Sequence, residues 1–148
     1  MKTPQPNSPI TQTQALDITS CLGPDWAVTS AEPNHPQGRA DIAYIGADPD
    51  LQGATLICLS DCAWTRTAWE WYGYTTDRGL TPHTALSHDD YWMYDLAEIF
   101  TPHTHTPEQM ASALTHRLLP TFLPAYRKAI QHRRADTRVG KCGRLQRP

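Results

Sequence analysis

The chain has no long apolar run. In its strand-like middle the longest is Leu56-Ile57-Cys58-Leu59, far short of the ~20 residues a membrane-spanning helix needs. Residues 1–9 are polar and proline-rich, with no apolar segment behind Lys2, a pattern that does not fit a secretory signal peptide. The expectation is a cytoplasmic protein with its four cysteines reduced. Those cysteines are also poorly spaced for metal. Cys58 and Cys62 are separated by three residues where common zinc knuckles use two, and Cys21 and Cys142 are distant. Cys21 and Cys58 read as small apolar core residues.

Catalytic signatures are missing as well. The eight glycines are isolated, and none precedes a Lys-Ser or Lys-Thr pair, so no loop is built to cradle phosphates. No Ser or Cys sits in a G-x-S-x-G elbow or beside a meaningful histidine. Asp61, Glu70 and Asp77 lie at expected strand ends or faces, and their spacing alone does not make an acid–base pair. Internal repeats are absent. Lysine is scarce: Lys2, Lys128 and Lys141 stand against ten arginines. With abundant Ala, Pro and Thr, that bias points to a GC-rich bacterial coding sequence. The composition favours a non-catalytic protein without a cofactor.

What is present begins with size. A chain of 148 residues suits one domain. A helix is expected from Pro9 to Leu22, started by Ser8-Pro9 and stopped by Gly23-Pro24. Trp26–Glu32 alternates weakly. Strands follow over Arg39–Gly46, Ala54–Ser60 and Trp64–Thr75, separated by turn chemistry such as Asp48-Pro49-Asp50. The last of these places Trp69 and Trp71 on one face and Glu70, Tyr72 and Tyr74 on the other.

Beyond it, Ser87-x-x-Asp90 and the spacing of Trp92, Met93, Leu96, Ile99 and Phe100 predict a helix over Asp89–Phe100. Thr106-Pro107 starts another, with Met110, Leu114, Leu118, Phe122, Tyr126 and Ile130 at every fourth position. Pro120 and Pro124 are expected to kink or divide it. The fold expected is α+β: an antiparallel sheet of about four strands, with an N-terminal helix and two C-terminal helices on one face. Residues 9–134 would form the domain, with 1–8 a disordered lead and 135–148 a basic, disordered tail.

Three constellations carry functional expectations. The first is the aromatic row Trp69, Trp71, Tyr72 and Tyr74. Strands favour aromatics for structural reasons, yet large rings on both faces and few helices to cover them suggest a sheet face that binds a protein partner. The second is charge layout. Residues 117–148 hold nine basic side chains and one acid, whereas residues 1–116 hold four and fourteen. Arg133, Arg134, Arg138, Lys141, Arg144 and Arg147 would neutralise nucleic-acid phosphates or remain a solvated tail. The third is a His-rich pair of loops. His88, Asp89, His103 and His105 would make a metal-dependent hydrolase site if they converged, although no HExxH spacing anchors them. An adaptor or regulatory domain is the leading expectation, with no membrane role.

Overall fold

The computed structural model describes residues 9–60, 68–75 and 98–131. Its first helix, α1 (Gln12–Leu22), begins later than Ser8-Pro9 suggests. Thr11 is the cap: its hydroxyl accepts from the Gln14 N–H, and the Gln14 side chain accepts from the Thr11 N–H. This reciprocal arrangement satisfies two donors that a helix start otherwise leaves open. The preceding Ile10 is fully buried, and its N–H goes to the Ser60 hydroxyl at 2.9 Å, so it belongs to the core before the helix starts. At the other end Gly23 takes φ 118°, a conformation that suits glycine, and closes the helix through a bond to the Thr19 carbonyl.

Five strands follow: β1 (Trp26–Glu32), β2 (Arg39–Tyr44), β3 (Ala54–Leu59), β4 (Ala68–Thr75) and β5 (Glu98–Pro102). They form one antiparallel meander in the order β1-β2-β3-β4-β5. Each pairs with its neighbour in sequence, as the short turn-rich links β1–β2 and β2–β3 favour. A 3-10 turn over Pro49–Leu51, capped by the Asp48 side chain, joins β2 to β3.

The fifth strand corrects the expectation of about four. Residues 98–100 were assigned to the end of a helix over Asp89–Phe100, but they pair with β4 as Tyr72↔Glu98, Trp71↔Ile99 and Glu70↔Phe100. Burial alternates along β5, with Ile99 and Thr101 inside, which is the two-residue period of a strand. The rest of that expected helix lies outside the described residues, as do residues 1–8 and 135–148.

Only one C-terminal helical segment is described, where two were expected. It starts at α2 (Pro107–Ala113), capped by Thr106 with Gln109 in the same reciprocal box. It widens to a π turn over Leu114–Leu118 and continues helically over 119–131. The Leu119 N–H reaches the Leu114 carbonyl, five residues back. That widened turn falls immediately before Pro120, whose missing N–H and bulky ring would otherwise disrupt a regular turn. The prolines therefore neither end nor divide this helix.

Both helices lie on one face of the sheet. Ile42, Leu56, Cys58, Trp71 and Ile99 from the strands form a single buried cluster with Ile18 from α1 and Met110, Leu114, Leu118 and Phe122 from the C-terminal helix. Gly73 marks the closest approach: a Cβ there would lie 2.1 Å from the Phe122 ring. Trp71 donates its indole N–H to Thr101 Oγ1 at 3.0 Å, and that hydroxyl in turn contacts the Met110 sulfur. At the far end the Tyr126 hydroxyl donates to the Gln52 carbonyl at 2.6 Å and lies 3.1 Å from Thr75 Oγ1. Arg127 pairs with Asp48 at 2.7 Å. The helix is thus fastened to the β2–β3 link as well as to the core.

Candidate functional site

Strand alternation sorts the four aromatic candidates. Trp69 and Trp71 are 2% and 0% exposed and point into the helix-covered core. They have no surface to offer a partner, which corrects their place in the aromatic binding row. Trp69 carries the one cost of this arrangement: its indole N–H is buried and has no hydrogen-bond partner among the described residues. Tyr72 and Tyr74 lie on the other face, Tyr72 half-buried and Tyr74 37% exposed.

That face carries no described helix, and register builds it in rows. Glu32, Arg39, Leu59, Glu70 and Phe100 form one row across the sheet. Ser30, Asp41, Ile57, Tyr72 and Glu98 form the next, and Ala27, Ala43, Thr55 and Tyr74 the third. Its centre is dry: Thr55 and Ile57 are each 1% exposed. The flanks are more open, so contact area is offered by the β4–β5 side more than by the middle.

Electrostatics follow from this layout. Arg39 grips Asp41 two residues along the same strand face, with Nε to Oδ1 at 2.8 Å and Nη2 to Oδ2 at 3.0 Å. This two-pronged bond raises the Arg39 pKa. Tyr72, beside them, has its hydroxyl pKa raised chiefly by burial, with Arg39 pulling the other way. Cys58, on the core side, has its thiol pKa pushed well up by burial and then by Glu70. A thiol held neutral is a poor nucleophile. Nothing in this set pairs a base with an activated nucleophile.

The remaining expected sites are divided by the described range. His103 and His105 lie in the turn between β5 and α2, both half-exposed, with the His105 N–H bonded to the Pro102 carbonyl. His88 and Asp89 lie outside the described residues. Among the described residues, no group of three or more His, Cys, Asp or Glu side chains is placed to hold a metal ion. Arg133, Arg134, Arg138, Lys141, Arg144 and Arg147 also lie outside. On the described part of the basic region, Arg117, Arg127 and Lys128 are exposed, and Arg127 is engaged by Asp48.

Two features were not singled out from the sequence. The Arg39–Asp41 pair was within reach, since residues two apart on a strand share a face. The cleft between α1 and β1, lined by Leu16, Thr19, Trp26 and Val28, was not. It depends on β1 lying at the sheet edge, a fact of topology that no local pattern carries.

Fold and surface together define an α+β protein with a five-stranded antiparallel meander, helices on one face and a polar–aromatic opposite face. No described helix is long and apolar enough to cross a membrane. Compared with protein-family models, curated proteins and solved structures, the chain matches none of them.

Proposed function

We propose that this chain is a small non-catalytic interaction domain, an adaptor or regulator that binds a protein partner on the sheet face opposite its described helices. The observation that carries this reading is the placement of both described helices on one side, which leaves Tyr72, Tyr74, Glu98 and Phe100 on the other. Tyrosines set among charges give an amphipathic surface of the kind partner-binding patches use. A neutral, buried Cys58 and an Arg39 already bonded to Asp41 fit a binding surface better than a reaction centre. The test replaces Tyr74 with a photo-crosslinking phenylalanine analogue in the native host and identifies the adduct. Affinity for that purified partner is then measured. Tyr72→Ala and Tyr74→Ala are expected to weaken binding by roughly tenfold each, about 1.4 kcal/mol, in variants whose circular dichroism shows them folded at the assay temperature. Unchanged affinity in both variants removes the sheet face from the function.

A second reading rests on the basic excess of residues 117–148. In it, Arg133, Arg134, Arg138, Lys141, Arg144 and Arg147 contact nucleic-acid phosphates. Neutralising them would then abolish binding to random-sequence duplex and flatten its salt dependence, by roughly 0.9 in log–log slope per lost contact. The acidic remainder of the chain opposes a larger nucleic-acid footprint. Duplex binding that survives these changes would exclude the tail as its source.

A further inference from the structure

We propose that the outer edge of β1, with the cleft beside α1, takes up an extended basic segment of a partner protein as a sixth strand. This surface is distinct from the sheet face above and stands or falls separately from it.

Among the described residues the edge is available. β1 ends the sheet order, and among the described residues it pairs only with β2. The Ile45 N–H donates to the Asp25 carbonyl at 2.7 Å, which makes residues 25 and 45 a hydrogen-bonded pair. Bonding alternates along an antiparallel ladder. From the register Trp26↔Tyr44, Ala27↔Ala43 and Val28↔Ile42, Val28 therefore turns both its N–H and its C=O to the free edge. Trp26 turns its C=O there, while its N–H is taken by the Gly23 carbonyl at 3.4 Å. Exposed edges are usually blunted by lysine, proline or a bulge. Here Trp26–Glu32 holds neither lysine nor proline, and the register shift between Val28 and Ser30 comes only after the Trp26–Val28 stretch.

The cleft supplies a place for side chains. A hollow of about 540 Å³ lies between α1 and β1, lined by Leu16, Thr19, Ser20, Trp26, Ala27 and Val28. Leu16 is 49% exposed, a large apolar residue left in water on the helix that overlooks the edge. A strand laid along β1 points alternate side chains to one face, so every second residue would meet Leu16 and Val28.

Charge selects the occupant. Residues 9–38 contain Asp17, Asp25 and Glu32 and no Lys or Arg. The next cation, Arg39, is held by Asp41. Among the described residues of α1 and β1, an incoming segment with Lys or Arg flanking its apolar positions meets only opposite charge. A second copy of this chain does not. Two β1 edges paired antiparallel would set the Asp25 end of one against the Glu32 end of the other, acid against acid.

The experiment selects displayed random peptides of about 12 residues on the full chain and measures a synthetic copy of the enriched sequence by fluorescence polarisation. Enrichment of alternating apolar residues with basic ends is expected. Leu16→Asp, and separately Asp17→Lys with Asp25→Lys, should each weaken that peptide by roughly tenfold or more. Methylating the peptide amide that pairs with the Val28 carbonyl should do the same with no change to the protein. The Val28 amide should gain protection from hydrogen exchange on binding, and Tyr74→Ala should leave affinity unchanged. Failure to enrich peptides, or enrichment of acidic ones, overturns the proposal. So does binding lost in Tyr74→Ala but kept in Leu16→Asp, which assigns the peptide to the sheet face. A dimer in sedimentation that Leu16→Asp dissolves would make the occupant a second copy and equally refute it.

Discussion

Gly73→Ala offers the sharpest test of how the C-terminal helix meets the sheet. A Cβ at residue 73 would lie 2.1 Å from Phe122 Cδ1 and 2.5 Å from two further ring atoms. Ordinary carbon–carbon contact is about 3.5–4.0 Å, so the ring must retreat by roughly 1.4 Å. Phe122 is fully buried and has no free space to move into. Overpacking of this kind costs about 1–3 kcal/mol, and the upper end applies because the obstacle is a rigid ring. Replacing glycine in a strand returns about 0.5–1 kcal/mol. The net expectation is a loss of about 2 kcal/mol, or a melting midpoint lower by roughly 4–8 °C for a chain of this size. Urea denaturation of four proteins decides it: the parent, Gly73→Ala, Phe122→Ala and the double variant. Phe122→Ala alone should cost about 3–5 kcal/mol. In the double variant the new methyl enters the vacated space, so the cost should fall short of the sum by about 1 kcal/mol or more. A Gly73→Ala shift below about 0.5 kcal/mol, or strict additivity of the pair, would refute this packing.

Other outcomes follow from the same structure. Leu118 is fully buried in the π turn, so Leu118→Asp should unfold the protein, seen as lost circular dichroism and lost cooperative melting. Tyr126→Phe removes the hydroxyl that serves Gln52 and Thr75 and should cost about 1–2 kcal/mol by denaturant titration. Arg127→Ala, which breaks a half-exposed pair with Asp48, should cost less than about 1 kcal/mol. The Cys58 thiol and Tyr72 hydroxyl both have folded pKa values raised above their ordinary ones. Above those ordinary values the unfolded chain releases protons that the folded one keeps, so stability should fall as pH rises into the alkaline range. Melting midpoints measured from neutral to alkaline pH should show that decline, reduced in Cys58→Ala and in Tyr72→Phe.

Much of this fold was legible from residue order. Gly23-Pro24 stopped α1, Asp48-Pro49-Asp50 made the β2–β3 turn, and the four-residue apolar spacing from Met110 to Ile130 marked the C-terminal helix. β5 was hidden because Ile99 and Phe100 complete the helical spacing begun at Trp92 and Leu96, while two adjacent apolar residues carry no strand alternation. Pairing with β4, a contact between residues about thirty apart in sequence, decided for the strand. Trp69 and Trp71 were placed on one face correctly by alternation. Which face the helices would cover was not local information, and that choice turned both rings from surface into core. Pro120 and Pro124 carry the expectation of a kink or a division; the helix is not divided, and the π turn at Leu114–Leu118 is the irregularity that accommodates Pro120.

The strictly sequential meander also sets an order in time. The β1–β2 and β2–β3 hairpins can each close as soon as their own two strands exist, because the loop to be ordered in each is short. The contact between α1 and α2 is different: it joins Gln12–Leu22 to Pro107–Ala113, with the whole sheet in between. Closing that long span has an entropic cost which the sheet must first offset. Ile18 is buried in the cluster that joins α1 to Met110 and to the sheet. To the extent that the late helix–helix seam holds it, Ile18→Val is expected to speed unfolding more than it slows folding, a low φ-value in chevron analysis. α1 can dock early on the neighbouring β1, so the seam between the two helices, rather than either helix, would be the last contact made.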